Sequence, residues 1–146
     1  MLDKYAVACG GGKLHRLGLH DAALYKDNHL ANLKDFSAKL GDVLLDVKKK
    51  NEIQFAEVEV DSLEQLEKVL DLPVDIVLLD NMTNDELSQA VAMRNKSTPS
   101  ILLEASGGVT LETVRAVAET GVDRVAIGAL THDAPWLDIG LDKLDA

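Results

Sequence analysis

Charged or glycine-rich clusters recur along this chain at the spacing of a strand-plus-helix unit. They are Gly10-Gly11-Gly12 with His15-Arg16, Lys26-Asp27-Asn28-His29, Glu57-Val58-Glu59-Val60, Leu79-Asp80-Asn81, Glu104-Ala105-Ser106-Gly107-Gly108 and Gly128-Ala129-Leu130-Thr131-His132. From Lys26 to Glu59, Asp80, Glu104 and Gly128 the successive steps are 33, 21, 24 and 24 residues. A parallel strand, its loop, a helix and the return loop need about that length. The clusters therefore read as the carboxyl ends of successive parallel strands, the rim on which α/β folds do chemistry. Lys26, Glu59 and Asp80 on such a rim are a cation and two carboxylates. That set suits a divalent ion and an anionic substrate. The bland alternative is a buried ion-pair network. Ending apolar strands on ionisable groups is costly, which favours the functional reading.

Ser106-Gly107-Gly108 and Gly128-Ala129 make a second constellation. Glycines let backbone amides approach a phosphate, and a helix opening near Thr110 would add its N-terminus. Two glycine-bearing βα loops at adjacent strand ends resemble the phosphate site of many barrels, against the alternative of two ordinary tight turns. Gly10-Gly11-Gly12 lacks the spacing of a dinucleotide fingerprint or a P-loop and reads as a turn that brings His15 and Arg16 near the rim. Cys9, His15 and His20 do not have a recognised zinc spacing.

The elements that must position these groups follow from periodicity. Strands are expected over 22–26, 54–60, 74–79, 100–104 and 124–128, and Lys4 to Cys9 also has β character. A helix over 30–49 carries Leu33, Phe36, Leu40, Leu44 and Val47, with Gly41 a possible break. Ser62-Leu63-Glu64-Gln65 and Thr83-Asn84-Asp85-Glu86 look like helix caps. Leu111, Val114, Val117 and Ala118 stripe a helix that stops at Thr120-Gly121. The result is an α/β chain, one domain over 1–146, with about five parallel strands. A closed eight-stranded barrel needs about 250 residues, so an open sheet or a partial (open) TIM-like β/α barrel is expected.

Bulk properties set outer limits. The chain is 47% hydrophobic and 27% charged, which suits a globular core, and only 3% aromatic, so that core is aliphatic. Twenty-five acids against 15 bases give a net charge of −10, which argues against nucleic-acid or anionic-membrane partners. Cys9 is the single cysteine, expected as a small buried residue in a reducing compartment. No apolar run of 18 residues and no signal-type segment is present, and a cytoplasmic location is expected.

These motifs together resemble quinolinate phosphoribosyltransferase. The resemblance runs through Lys4-Tyr5-Ala6-Val7, Gly10 to Gly12, His15-Arg16-Leu17-Gly18-Leu19, Lys26 to His29, Glu57 to Glu64, Leu78 to Met82, Leu103 to Gly108, Ala118 to Asp123, Gly128 to His132 and Leu137-Asp138-Ile139. It implies transfer of a phosphoribosyl group from phosphoribosyl pyrophosphate to quinolinate with Mg2+. The products are nicotinate mononucleotide, carbon dioxide and pyrophosphate, in NAD biosynthesis. By the resemblance, His15, Arg16 and Lys26 face the quinolinate carboxylates, with Lys26, Glu59 and Asp80 the catalytic set. Glu59 and Asp80 face the metal and the ribose. Ser106, Gly107, Gly108, Gly128, Ala129 and His132 line the phosphate pocket.

The resemblance covers the C-terminal barrel portion of the family. It lacks the N-terminal domain and the first barrel strand, whose Thr-Arg-Lys motif also serves the site. Val7-Ala8 stands where the family has Val-Arg, and Leu14 where it has Asn. Those departures imply impaired turnover by the chain alone, and either a homo-oligomer or association with a chain that supplies the missing half. Two other readings stay open: a non-catalytic phosphate-binding or assembly module, and a related pyrophosphorylase acting on another ring.

Overall fold

The computed structural model describes residues 2–18, 20–26, 36–49 and 53–141. Asp27-Asn28-His29, Leu33 and the start of the helix expected from residue 30 lie outside the described residues. Five strands form one sheet: β1 (Ala23–Tyr25), β2 (Ala56–Val60), β3 (Ile76–Asp80), β4 (Leu102–Ser106) and β5 (Arg124–Val125). All pairings are parallel, as the repeat spacing predicts, and the order is β1-β2-β3-β4-β5. The sheet is open, since β1 and β5 pair only with β2 and β4. Each strand lies beside its predecessor, so right-handed crossovers would all fall on one face, the winding of a barrel rather than a two-sided sheet.

Between the strands run α2 (Phe36–Lys49), α3 (Leu63–Val69), α4 (Asn84–Ser97) and α5 (Val114–Glu119), with α1 (Leu2–Cys9) before β1 and the single-turn α6 (Ala129–His132) after β5. Alternation along the strands divides the sheet. Ala56, Val58, Val60, Val77, Leu79, Leu103 and Ala105 point to the helices and join Leu40, Leu44, Leu66, Val69, Leu87, Ala90 and Val117 in one aliphatic cluster. The opposite face carries Glu57, Glu59, Leu78, Asp80, Glu104, Ser106 and Arg124, which register and strand parity place together.

Local chemistry explains most boundaries. Thr83 and Glu86 close a reciprocal capping box at α4, Glu86 Oε2 accepting from Thr83 N at 2.8 Å and Thr83 Oγ1 accepting from Glu86 N at 3.3 Å. Ser62 makes no side-chain cap; Gln65 instead accepts from Asp61 N at 3.0 Å. Gly121 takes the left-handed conformation (φ 92°) just past α5, as its position predicts. Arg94 of α4 is buried and donates to Ile101 O and Asp123 Oδ2, both at 2.7 Å, while Asp123 also accepts from Leu103 N. That latch ties α4 and the approach to β5 onto the start of β4.

Several expectations are corrected. Lys4 to Cys9 is helical, not extended, and Cys9 is exposed. The segment forms no pairing with the sheet, and an isolated stretch without a strand partner satisfies its own backbone as a helix. Gly41 does not break α2, which runs on past it beside Leu72. The strands expected at 74–79 and 100–104 both start two residues later and end one and two residues later, so Asp80 and Ser106 close β3 and β4. β5 ends at Val125 rather than residue 128. Leu111 is exposed and precedes α5, which has only six residues and begins at Val114. No described helix is long and apolar enough to cross a membrane.

Candidate functional site

β2 presents Glu57 and Glu59 two residues apart on the same face, about 6–7 Å along the strand. Glu59 lies level with Leu78, and Asp80 follows Leu78 on that face, one strand over and one layer nearer the carboxyl rim. Lys26, the residue after β1, brings Nζ to 3.3 Å from Glu59 Oε2. Glu59 is mostly buried and Lys26 half-exposed, so the pair is partly desolvated at the mouth of the sheet face. The structure thus brings Lys26, Glu59 and Asp80 to one rim, as their spacing predicts.

Asp80 is held by its neighbour. Asn81 Nδ2 donates to Asp80 Oδ2 at 2.8 Å. Asn81 is left-handed (φ 54°), and its N–H donates to Ser106 O at 2.9 Å. Asn81 also packs on Gly107, where an added Cβ would stand 2.7 Å from Asn81 Cγ and 3.0 Å from Asn81 N. Gly107 (φ 102°) and Gly108 (φ 58°) therefore owe their type to the Asn81 contact and to left-handed backbone. The acid loop after β3 and the glycine loop after β4 are interlocked.

Ser106 stands level with Asp80. Ala126 N donates to Ala105 O at 2.8 Å, which carries the backbone toward Gly128 past the end of β4. Gly128, Ala129 and His132 begin and end the single turn α6, where Gly128 O accepts from Thr131 N and His132 N. The two glycine loops are adjacent, as expected. The helix N-terminus expected beside Ser106 is not: Gly108 is separated from α5 by a turn in which Thr113 Oγ1 accepts from Thr110 N at 2.9 Å. Backbone amides, without a helix end, are what this loop offers.

The arginine and histidine are placed differently from the expectation of a common rim. Arg16 Nη1 donates to Ala22 O at 3.4 Å, beside the amino end of β1 and away from Lys26. His15 lies over the middle of the sheet. Its Nε2 is 3.2 Å from Glu57 Oε2 and 3.8 Å from Glu104 Oε1, and its ring meets Phe55 edge-on. Lys4 of α1 donates to the carbonyls of His15 and Arg16 at 3.2 and 2.9 Å, which sets the segment across the face. Two buried carboxylates at mid-strand need a counter-charge, and the imidazole reaches them first. The contact with Glu57 raises the His15 pKa, against burial that lowers it; the Glu104 charge adds and Lys4 opposes. Burial, then the Glu57 charge, pushes the Glu104 carboxyl up, with His15 and Arg124, 3.9 Å away, pulling the other way.

Glu57, Glu104 and Asn81 escaped the sequence reading as site residues. The period-two pair Glu57/Glu59 was the available signal for the first, since an acidic residue two positions from a rim acid shares its face. Glu104 had the same signal relative to Ser106.

Comparisons with known proteins match the chain throughout. The family model for "Quinolinate phosphoribosyl transferase, C-terminal domain" aligns with residues 1–142. The nicotinate-nucleotide pyrophosphorylase [carboxylating] of Mycobacterium leprae is 48% identical over 141 residues, 97% of this chain and 48% of that protein. A probable nicotinate-nucleotide pyrophosphorylase [carboxylating] of Bacillus subtilis is 39% identical over 147 residues, covering 97% and 47%. Among solved structures, NadC from Streptococcus pyogenes superposes with a TM-score of 0.80 at 34% identity, over 98% of this chain and 49% of that one. The nicotinate-nucleotide pyrophosphorylase from Ehrlichia chaffeensis gives 0.79 at 39% identity, over 91% and 46%. The chain spans about half the length of the relatives it matches.

Proposed function

Because the chain belongs to the quinolinate phosphoribosyl transferase C-terminal domain family, we propose that it carries the barrel half of a phosphoribosyl transfer. In that reaction quinolinate and phosphoribosyl pyrophosphate give nicotinate mononucleotide, carbon dioxide and pyrophosphate. The observation that carries this reading is the shared rim of Lys26, Glu59 and Asp80 beside the interlocked Ser106–Gly108 loop.

Each group has a task its chemistry suits. Lys26 and His15 supply positive charge for a dicarboxylate. Arg16 would join them only after leaving Ala22 O. Glu59 and Asp80 accept ribose hydroxyls and stabilise positive charge that develops at the anomeric carbon as pyrophosphate departs. The amides of Gly107 and Gly108, with Ser106, Gly128, Ala129 and His132, hold the phosphate. Two carboxylates on one rim, one oriented by Asn81, are a hard-oxygen donor set that fits Mg2+, and Glu59 and Asp80 would hold it. Magnesium supplies charge neutralisation of the pyrophosphate when bound. Lys26 Nζ, 3.3 Å from Glu59 Oε2, holds that carboxylate group at the rim.

The open edges of β1 and β5 are the places where further strands would complete the barrel, supplied by another copy or by a chain carrying the rest of the fold. A lone exposed cysteine fits a reducing, cytoplasmic setting. The test is nicotinate mononucleotide formation by this chain mixed with the complementary half of a relative, with Glu59→Gln and Asp80→Asn as controls. Turnover that both substitutions abolish supports the reading. Turnover indifferent to them, or seen only with another ring acid, overturns it.

A further inference from the structure

The centre of the sheet face holds two carboxylates that the reaction above does not use. Glu57 is fully buried and Glu104 is 5% exposed. They come from strands on either side of β3 and converge on one atom, Nε2 of His15. Neither Glu57 oxygen has a well-aligned hydrogen-bond donor among the described residues, so the His15 contact is its only charge compensation there. Buried carboxylates without donors are costly, and a fold keeps them where they act on something.

We infer that Glu57, braced by Glu104, is a positioning residue that fixes the proton on His15 Nε2 and so presents Nδ1–H of an imidazolium to a substrate carboxylate. A neutral imidazole carries one proton, and with Nε2 facing two carboxylates that proton sits on Nε2. Nδ1 would then offer a lone pair, which repels an anion. Only the imidazolium donates from both nitrogens, and two carboxylates at Nε2 stabilise that form. Nδ1 has no partner among the described residues, and the His15 side chain is 34% exposed, so a ligand on the face can reach it. Glu59 stands on the same face about 6–7 Å further along β2, with Lys26 beside it. A pyridine dicarboxylate between them would have one cation at each end. This rests on the quinolinate reading above.

Every charged group around His15 enters the balance. Glu57 of β2 and Glu104 of β4 favour the imidazolium, and Lys4 of α1 disfavours it. Arg124 of β5 weakens the Glu104 contribution from 3.9 Å. A divalent ion among the three donors is the competing reading. The three donor atoms lie within 4.8 Å of one another, a spacing such an ion accepts, so zinc is an arm of the experiment below.

The experiment follows the His15 ring by NMR against pH in the 146-residue chain, as wild type, Glu57→Gln and Glu104→Gln, with quinolinate affinity measured on the same samples. The amide spectrum checks the fold of each variant. Wild-type His15 should titrate above the ordinary midpoint of about 6.5, and Glu57→Gln should lower it. Quinolinate should bind Glu57→Gln on the order of tenfold more weakly at neutral pH, the loss of one charge-assisted hydrogen bond. Lowering the pH should restore that affinity. If Glu57→Gln misfolds, Glu104→Gln must show the same two changes, smaller in size. An unmoved His15 midpoint overturns the inference whatever quinolinate does. A moved midpoint with affinity that ignores it shows that Nδ1 does not meet the substrate, and overturns it too. A shifted midpoint in a wild type that binds no quinolinate at millimolar concentration sinks the substrate reading and leaves His15 a structural counter-ion. Stoichiometric zinc uptake at His15 in preference to quinolinate would replace the inference with a metal site.

Discussion

At the scale of single residues, the sheet face is a set of charges whose partners decide their roles. Lys26 and Glu59 pair at the rim, while His15 pairs deeper with Glu57 and Glu104. The deeper cluster has a definite pH signature. The folded pKa of His15 is raised, so its ion pair stabilises the fold fully below the unfolded midpoint near 6.5 and is lost as pH rises through the folded value. The raised Glu104 carboxyl runs in the same direction, because burial favours its neutral form. The stability advantage of wild type over His15→Ala should therefore shrink between pH 6 and 9, as read by urea unfolding. An advantage that grows over that range would contradict the assignment. Asn81→Ala removes the donor to Asp80 and should weaken divalent-ion binding without unfolding the chain, measured by calorimetry.

At the scale of elements, the helices are held by a few identifiable contacts. The Thr83–Glu86 box starts α4, so Thr83→Ala should cost about 1 kcal/mol of stability. Asp123→Asn strips the buried Arg94 of its carboxylate and should cost roughly 1–3 kcal/mol. Leu103→Ala, in the fully buried centre of β4, should cost roughly 2–5 kcal/mol. Denaturant midpoints on the three variants rank them, and an order with Thr83→Ala worst would contradict the picture of an aliphatic core with local caps. The glycine loop after β4 belongs to this scale as well. Gly107→Ala places a methyl group against Asn81 and should disturb the Asp80 loop, seen as amide shifts at both loops. Shifts confined to the loop after β4 would show that the two are not coupled.

At the scale of the whole molecule, five parallel strands in sequential order make part of a barrel with one finished face. The helix side is packed, and the other side carries the charged residues. Turnover by this chain alone should be slow or absent. Its described cations near the rim are few, and Arg16 is engaged with Ala22 O. Each buried charge-assisted contact missing from a dicarboxylate–pyrophosphate site typically costs about 2–5 kcal/mol, and several such losses remove most activity even when they are not additive. Addition of the complementary half of a relative in trans should restore product formation. Equal rates with and without it would show that the further cations are not needed.

The sequence by itself settled the approximate number and parallel direction of the strands and the rim position of Lys26, Glu59 and Asp80, while the strand order in the sheet came from the structure. It could do so because a βα repeat is written locally: apolar runs of strand length, helical stripes and polar strand ends at a near-constant interval. The capping box at Thr83 and the glycine stop at Gly121 were legible for the same reason, each being a contact within a few residues. Tertiary structure decided what depends on contacts far apart in the chain. Lys4 to Cys9 reads as strand but is helical, because no sheet edge takes it. Leu111 fits a helical stripe but is exposed, because α5 starts three residues later. Gly107 is legible as a loop glycine, but its contact with Asn81, 26 positions earlier, exists only in the assembled fold. His15 was expected at the rim and lies instead between carboxylates of β2 and β4, since burial of Glu57 and Glu104 creates a demand for charge that only the assembled sheet face defines.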